Sequence, residues 1–285
     1  MRYYTVDAFA QVPFGGNPAG VVLIENGENF PEDETMRKIA AEMRYSETAF
    51  VQQNGAAEFT VRYFTPAAEV DLCGHATIAS FSVLREEGIV REGFTCINHT
   101  KAGNLEISVG KKILMEMATP EIIGEIVDTQ RLKTIMDVPA HDEHAAENLP
   151  TQIVSTGLPD IIFPVASVEA LNSLNPNMEA LSAFSDEMKV VGVHAFALSD
   201  DGYTAHVRNF APLYDIPEES ATGTANGALT YYLYKQGIIT AYDKCSFMQG
   251  ESMQHPSVVE TEIKGGNKVY VGGNSYILTK GEMNL

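Results

Sequence analysis

The chain has 285 residues, 45% of them apolar, which is material for one large core or two ordinary ones, and usual domain sizes make two domains the expectation. Its 19 basic against 38 acidic residues leave a net charge of −19, which repels phosphate backbones and anionic lipid and excludes nucleic-acid and membrane partners. Cys73, Cys96 and Cys245 lie far apart with no Cys-x-x-Cys pair, which argues against a disulfide framework or a thiolate zinc site, and no signal-type apolar core or long uncharged apolar run occurs, so a cytoplasmic protein is expected.

Taken in chain order, Met1 to Phe9 starts as an alternating strand, and strands follow at Gly20 to Ile24, Thr48 to Gln52, Phe59 to Phe64 and Lys112 to Met117. Later strands are expected at Gln152 to Ser155, Asp160 to Val165, His194 to Leu198, His206 to Phe210 and Lys268 to Val271. Helical spacing marks Asp33 to Met43, Ala76 to Glu87, Thr129 to Met136, Val168 to Leu174 and Ala225 to Gln236. The polar run between Asp137 and Pro150 reads as a loop or short exposed helix. Within it, His141, Asp142, Glu143 and His144 permit weak surface metal binding but read better as a solvated linker. No nucleotide-binding fingerprint follows a strand, so no nucleotide cofactor is expected. A domain crossing near Met117 to Pro120 gives an N-terminal domain over 1–119 and a C-terminal domain over 120–285, with the last strand or helix free to cross back to the first.

The chain also echoes itself. Val61-Arg62-Tyr63-Phe64-Thr65-Pro66 resembles Val207-Arg208-Asn209-Phe210-Ala211-Pro212, and each is followed by a loop and a Gly-containing helix opening: Cys73-Gly74-His75-Ala76 in one half, Thr222-Gly223-Thr224-Ala225 in the other. Gly16-Asn17-Pro18 has a weaker counterpart in Gly157-Leu158-Pro159, and Glu47 to Val51 falls opposite His194 to Leu198. Matches in the same order indicate a duplicated fold. If two like domains pack about a pseudo-twofold axis, the two helix openings bracket a shared cavity, and their free N–H groups suit a carboxylate ligand or a developing oxyanion.

Glu47, Asp71 to Ala76 and Ser220 to Ala225 carry the chemistry, and with them the sequence resembles the phenazine-biosynthesis PhzF-like family, which shares its fold with diaminopimelate epimerase. The likeness extends over Asp7-Ala8-Phe9, Phe14 to Ala19, Ser46 to Phe50, Arg62 to Pro66, Cys73 to Thr77, Thr222 to Gly227 and Gln249-Gly250-Glu251. The resemblance implies an α+β fold of two pseudo-symmetric domains, each a curved mixed β-sheet wrapped around a central helix, commonly as a homodimer. It implies a small-molecule carboxylate substrate and no metal or organic cofactor, with Glu47 moving a proton between carbons of a cyclic amino acid, assisted by His75 and by an acidic residue before the Thr-Gly motif. That residue is Glu219 here, where the family carries aspartate. The family's Gly-Arg-Pro-Ser segment is also replaced, by Met253 to Ser257 without an arginine.

Elementary chemistry agrees with these roles. A proton moved between carbons needs one group that takes it and returns it, and a carboxylate in a closed cleft suits that task. His75 at a helix start can donate as a neutral imidazole, Thr222, Gly223 and Thr224 can bind a ligand through hydroxyl and N–H groups, Gly74 leaves room for close approach, and Asn17 lines the cleft after its role at strand entry. Two alternatives stay open: an amino-acid epimerase or racemase using Cys73, which lacks a second thiol because Thr222 takes the duplicated place, and a non-catalytic small-molecule binder.

Overall fold

The computed structural model describes residues 1–25, 27–139 and 149–284, and His141 to His144 lie outside them. The chain forms two compact units, one of Met1–Glu116 with Gly272–Leu285, the other of Met117–Val271.

In the first unit the elements run β1 (Arg2–Ala8), β2 (Asn17–Leu23), α1 (Asp33–Met43), β3 (Thr48–Gln53), β4 (Glu58–Phe64), β5 (Glu69–Val70), α2 (Gly74–Glu86), β6 (Phe94–Thr100), β7 (Gly103–Val109) and β8 (Ile113–Glu116). The second unit continues with β9 (Glu121–Glu125), α3 (Thr129–Ile135), β10 (Gln152–Ser155), β11 (Pro159–Pro164), α4 (Val168–Ser173), α5 (Met178–Met188), β12 (Val193–Leu198) and β13 (Ala205–Ala211). After these come β14 (Ile216–Glu219), α6 (Gly223–Lys235), β15 (Lys244–Gln249), β16 (Ser257–Lys264) and β17 (Lys268–Gly273), and β18 (Ser275–Glu282) returns to the first unit. The strands β5, β6, β7, β9, β14, β15, β16 and β18 and the helix α5 are additions to the elements expected from the sequence.

Each unit is a mixed sheet. In the first, β2 pairs in parallel with β3, β3 antiparallel with β4, β4 in parallel with β6, and β6 antiparallel with β7. In the second, β11, β12, β13, β15 and β16 repeat the same sequence of senses. The registers give the internal correspondence directly: Thr48 faces Phe64 as Val193 faces Phe210, and Gly20 N–H donates to the Glu47 carbonyl as Ile161 N–H donates to that of Gly192. Glu47 therefore corresponds to Gly192, two residues before the His194 that the sequence echo sets against it. Gly192 cannot carry a side chain, because a Cβ there would meet the Phe210 carbonyl oxygen at 1.9 Å.

A central helix fills the concave side of each sheet. The helix α2 is buried from His75 to Leu84 and packs on β1, β2, β3, β7, β8 and β18; α6 packs on β9, β10, β11, β12 and β16. Strand alternation sorts the side chains. In the second unit Ile162, Phe196, Val207 and Leu229 form the core around α6, while Ile161, Val193, Phe210 and Leu181 form a second core under α3, α4 and α5 on the opposite face. In the first unit Val22, Phe50 and Phe64 face α1. The repeated Val-Arg-x-Phe-x-Pro motif has a physical cause. Arg62 forms a bidentate pair with Glu69 and lies 5.2 Å from the Phe64 ring, and Arg208 does the same with Glu218 and Phe210, at 4.8 Å. Both arginines thus clamp the short strand that leads to the central helix.

Candidate active site

In the first unit three side chains converge at the start of α2. Glu47 immediately precedes β3, where strand alternation turns it to the same face as Ala49, toward α2. His75 is the second residue of α2 and Asn17 the first of β2, both buried. His75 Nε2 lies 3.3 Å from Glu47 Oε2, and His75 Nδ1 lies 3.4 Å from Asn17 Nδ2 and 3.4 Å from Cys73 Sγ. Glu47 Oε2 is buried and makes no hydrogen bond among the described residues, since the approach of the imidazole is not aligned for one. Burial pulls the His75 imidazole below the ordinary histidine range, and the Glu47 charge opposes this without cancelling it. Cys73 is the N-cap of α2 without a side-chain capping bond to the helix amides, and a Cβ on Gly74 would meet nothing closer than Met115 Cε at 3.7 Å. The donor atoms of Glu47, Cys73 and His75 all lie within 4.8 Å of one another, so this cluster has the composition to hold a metal ion.

In the second unit the start of α6 carries a hydrogen-bonded network. The Glu219 carboxylate accepts from Thr222 Oγ1 at 2.6 Å, and Gln249 Oε1 accepts from Thr222 N–H at 3.1 Å and from Asn226 Nδ2 at 2.8 Å. Gln249 Nε2 closes the ring by donating to the Glu219 carbonyl at 2.8 Å. Thr222 is the N-cap, but its hydroxyl goes to Glu219 and makes no capping bond to the helix amides. Gly223 and Thr224 open the helix, and the Thr224 carbonyl accepts from Thr156 Oγ1 at 2.9 Å.

Sequence reasoning did not single out three contributors to this network. Gln249, named above only within the Gln249-Gly250-Glu251 likeness and given no role, ends β15 and caps α6. Asp160 and His194 sit within the apolar strands β11 and β12, facing α6 together with Ile162 and Phe196, and are 1% and 0% exposed. Burial, and then the charge of Glu219, push the Asp160 carboxyl up to about 8, although the Gly192 N–H bonds to it; one of its oxygens has no partner among the described residues. Burial drives His194 down to about 3, with the Asn226 side chain acting the other way, and Asn209 Nδ2 lies 3.2 Å from its Nδ1. A charged residue at the head of an apolar strand, on the same alternation face as Ile162, is the signal that could have found Asp160.

No helix among the described residues is long and apolar enough to cross a membrane. The chain matches the model of the phenazine biosynthesis-like protein family (PhzC-PhzF) over residues 6–281. It is 34% identical to an uncharacterized isomerase of Clostridium acetobutylicum, over 99% of this chain and 97% of that protein. It is 28% identical to the trans-2,3-dihydro-3-hydroxyanthranilate isomerase of Pseudomonas fluorescens, over 100% of this chain and 99% of that one. Among solved structures, the phenazine biosynthesis protein of the PhzF family from Bacillus anthracis superposes with a TM-score of 0.88 at 27% identity, covering 100% of this chain and 99% of that one. With two sheets each wrapped on a central helix and a family match spanning both units, the chain belongs to the phenazine biosynthesis-like, PhzC-PhzF family of isomerases.

Proposed function

We propose that the protein is a cofactor-independent isomerase that moves a proton between carbons of a small cyclic or α-amino carboxylic acid, with Glu47 as the acid/base. The observation that carries this reading is the Glu47 carboxylate: one oxygen is buried, free of hydrogen bonds, and 3.3 Å from an imidazole that burial keeps neutral. A carboxylate not spent on a structural bond is available to take a proton from carbon. The electron pair left behind spreads into the substrate's adjoining unsaturated or carbonyl group, and the same carboxyl group returns the proton at the second carbon. His75, with Nδ1 beside Asn17 and Cys73, presents Nε2 to Glu47 and to the substrate and serves as the positioning donor.

In the second unit, Glu219 orients Thr222, and the first-turn amides of α6 at Gly223 and Thr224 suit a carboxylate ligand. The substitution of glutamate for the family's aspartate is accommodated by the short Thr222 bond. The epimerase reading based on Cys73 lacks a second thiol, because Thr222 takes the corresponding place and its hydroxyl is committed to Glu219. A homodimer in the cytoplasm is the expected setting.

The test is proton NMR in D₂O with wild type and Glu47→Gln, using a panel of cyclic and α-amino carboxylic acids that includes trans-2,3-dihydro-3-hydroxyanthranilate. Deuterium entering carbon with wild type alone supports the assignment. A ligand bound equally by both proteins, with no exchange in either, replaces it by a non-catalytic binder.

A further inference from the structure

The side chains at the start of α6 are anchored to backbone groups, and a backbone group settles which side-chain atom donates and which accepts. The Thr222 N–H can only donate, so the Gln249 atom that receives it is the oxygen; the Glu219 carbonyl can only accept, so the Gln249 atom facing it is the nitrogen. Asn226 is fixed in the same way, because its nitrogen donates to the Thr222 carbonyl at 2.9 Å and to Gln249 Oε1 at 2.8 Å. The remaining amide bond then has one direction: Gln249 Nε2 donates to Thr222 Oγ1 at 3.1 Å.

We propose that Gln249 is a positioning residue that polarises this network, so that Thr222 gives its hydroxyl proton to an ionised Glu219 and meets a ligand as a hydrogen-bond acceptor. The ligand part rests on the reading above that the first-turn amides of α6 receive a carboxylate; the polarity does not.

Charge balance supports the polarity. Asp160 and Glu219 both face α6, and β13 brings no cation to that face: alternation turns Val207 toward α6 and sets Arg208 and His206 on the opposite side. There Arg208 is engaged with Glu218, and His206 with Asp201 and Glu251. His194, the titratable group of β12 on the α6 face, is kept neutral by burial. Two carboxylates without a cation repel, so the pair keeps one proton. Asp160 is 1% exposed, one of its oxygens takes the Gly192 N–H, and Oδ1 makes no hydrogen bond among the described residues. Glu219 is only half-buried, and its 2.6 Å contact from Thr222 Oγ1 has the length of a hydroxyl bond to a charged oxygen. The shared proton therefore rests on Asp160.

The Thr222 hydroxyl thus spends its proton on Glu219 and one lone pair on Gln249, and the lone pair left over can only accept. The amides at Gly223 and Thr224 supply the donors. This pattern suits a carboxylate with an N–H or O–H on a neighbouring atom and disfavours one without.

The first experiment needs no variant: the carboxyl carbons of the full chain, isotope-labelled in Asp and Glu, are followed by NMR across the carboxylate range and up to about pH 9. At neutral pH Asp160 is expected to hold a proton and Glu219 to be ionised; a proton on Glu219, or two ionised groups, overturns the polarity. Gln249→Glu keeps the shape of the side chain but can donate only while its new carboxyl is protonated. Its deficit in urea stability against wild type is expected to shrink toward acid and grow as pH rises, and a deficit that ignores pH overturns the directing role of Gln249. Anthranilate and benzoate serve as probes in calorimetry. Anthranilate should bind about 10-fold tighter, a preference lost in Thr222→Val and kept in Thr222→Ser, whereas equal affinities overturn the acceptor role. Binding of neither probe, with the carboxyl carbons as expected, leaves the polarity standing and sinks the reading that this turn receives the substrate.

Discussion

The two units share one strand order and one clamp, yet they bring acid to the central helix from different places. In the first, the carboxylate comes from Glu47 at the entry to β3, and the strand positions that face α2 are small or apolar: Ala19, Ala49, Val70. In the second, Gly192 occupies the place of Glu47, and the positions matching Ala19, Ala49 and Val70 are Asp160, His194 and Glu219. The shared framework thus carries its ionisable groups differently: a partly buried glutamate stands at the head of β3 in one unit and a buried polar network in the other. A glycine that cannot accept a Cβ is what prevents the second unit from carrying its own Glu47.

The sharpest way to break this asymmetry is catalytic. Glu47→Gln is expected to lower the deuterium-exchange rate about 10²- to 10⁴-fold, as loss of a general acid/base does. Glu219→Gln, which weakens one charge-assisted bond to Thr222, should act mainly on substrate affinity, by about 10-fold. Equal rate losses from the two would erase the distinction between Glu47 and Glu219.

The clamps give a second contrast, read as unfolding free energy in urea. Arg208 is 9% exposed and also donates to the Leu171 and Leu174 carbonyls, so Arg208→Ala should cost on the order of 3 kcal/mol. Arg62, whose further partner Asp33 is largely exposed, should cost on the order of 1 kcal/mol.

Asp160 gives the third test. Its folded carboxyl titrates at about 8, against the ordinary 3.8 when unfolded, so between these values the folded protein keeps a proton that the unfolded chain has lost. Stability contributed by this group therefore falls as pH rises through that window. Asp160→Asn should melt higher than wild type at pH 8 and converge with it near pH 4; a constant difference across the window would place the cost elsewhere.

The smallest effect concerns His206. Burial pulls it down, but Glu251 at 2.6 Å from Nδ1 and Asp201 at 2.8 Å from Nε2 outweigh burial and leave it raised. Its stabilisation is present below the ordinary histidine value and is lost as pH rises through the folded one. The deficit of His206→Gln, measured by thermal melts, should shrink above neutrality.

Much of this was legible in the sequence wherever local chemistry dictates structure. The echoed Val-Arg-x-Phe-x-Pro and Gly-containing helix openings announced the duplication, and Glu47, His75 and Glu219 stood out as acids and an imidazole at element boundaries. What stayed hidden depends on pairing. β6 and β7 read as polar because their residues alternate between core and solvent, with Cys96 and Ile107 inward among Thr, Asn, His and Glu. α5 was masked by the Asn and Pro before it, although Asn177 caps it through a bond to the Ala180 N–H. Asp160 and His194 looked like interruptions of apolar strands, because only the register across β11, β12, β13 and β14 shows that they line one face.

The return of β18 carries a consequence for biosynthesis. β1 lies between β2 and β18, so its second hydrogen-bonding edge is completed only by residues Ser275 to Glu282. On a translating ribosome those residues emerge after every strand of the contiguous second unit. That unit can close while the first still presents an open edge, which inverts the usual N-to-C order of maturation and makes the interval before β18 arrives the one in which the nascent chain is most prone to mispair with its neighbours.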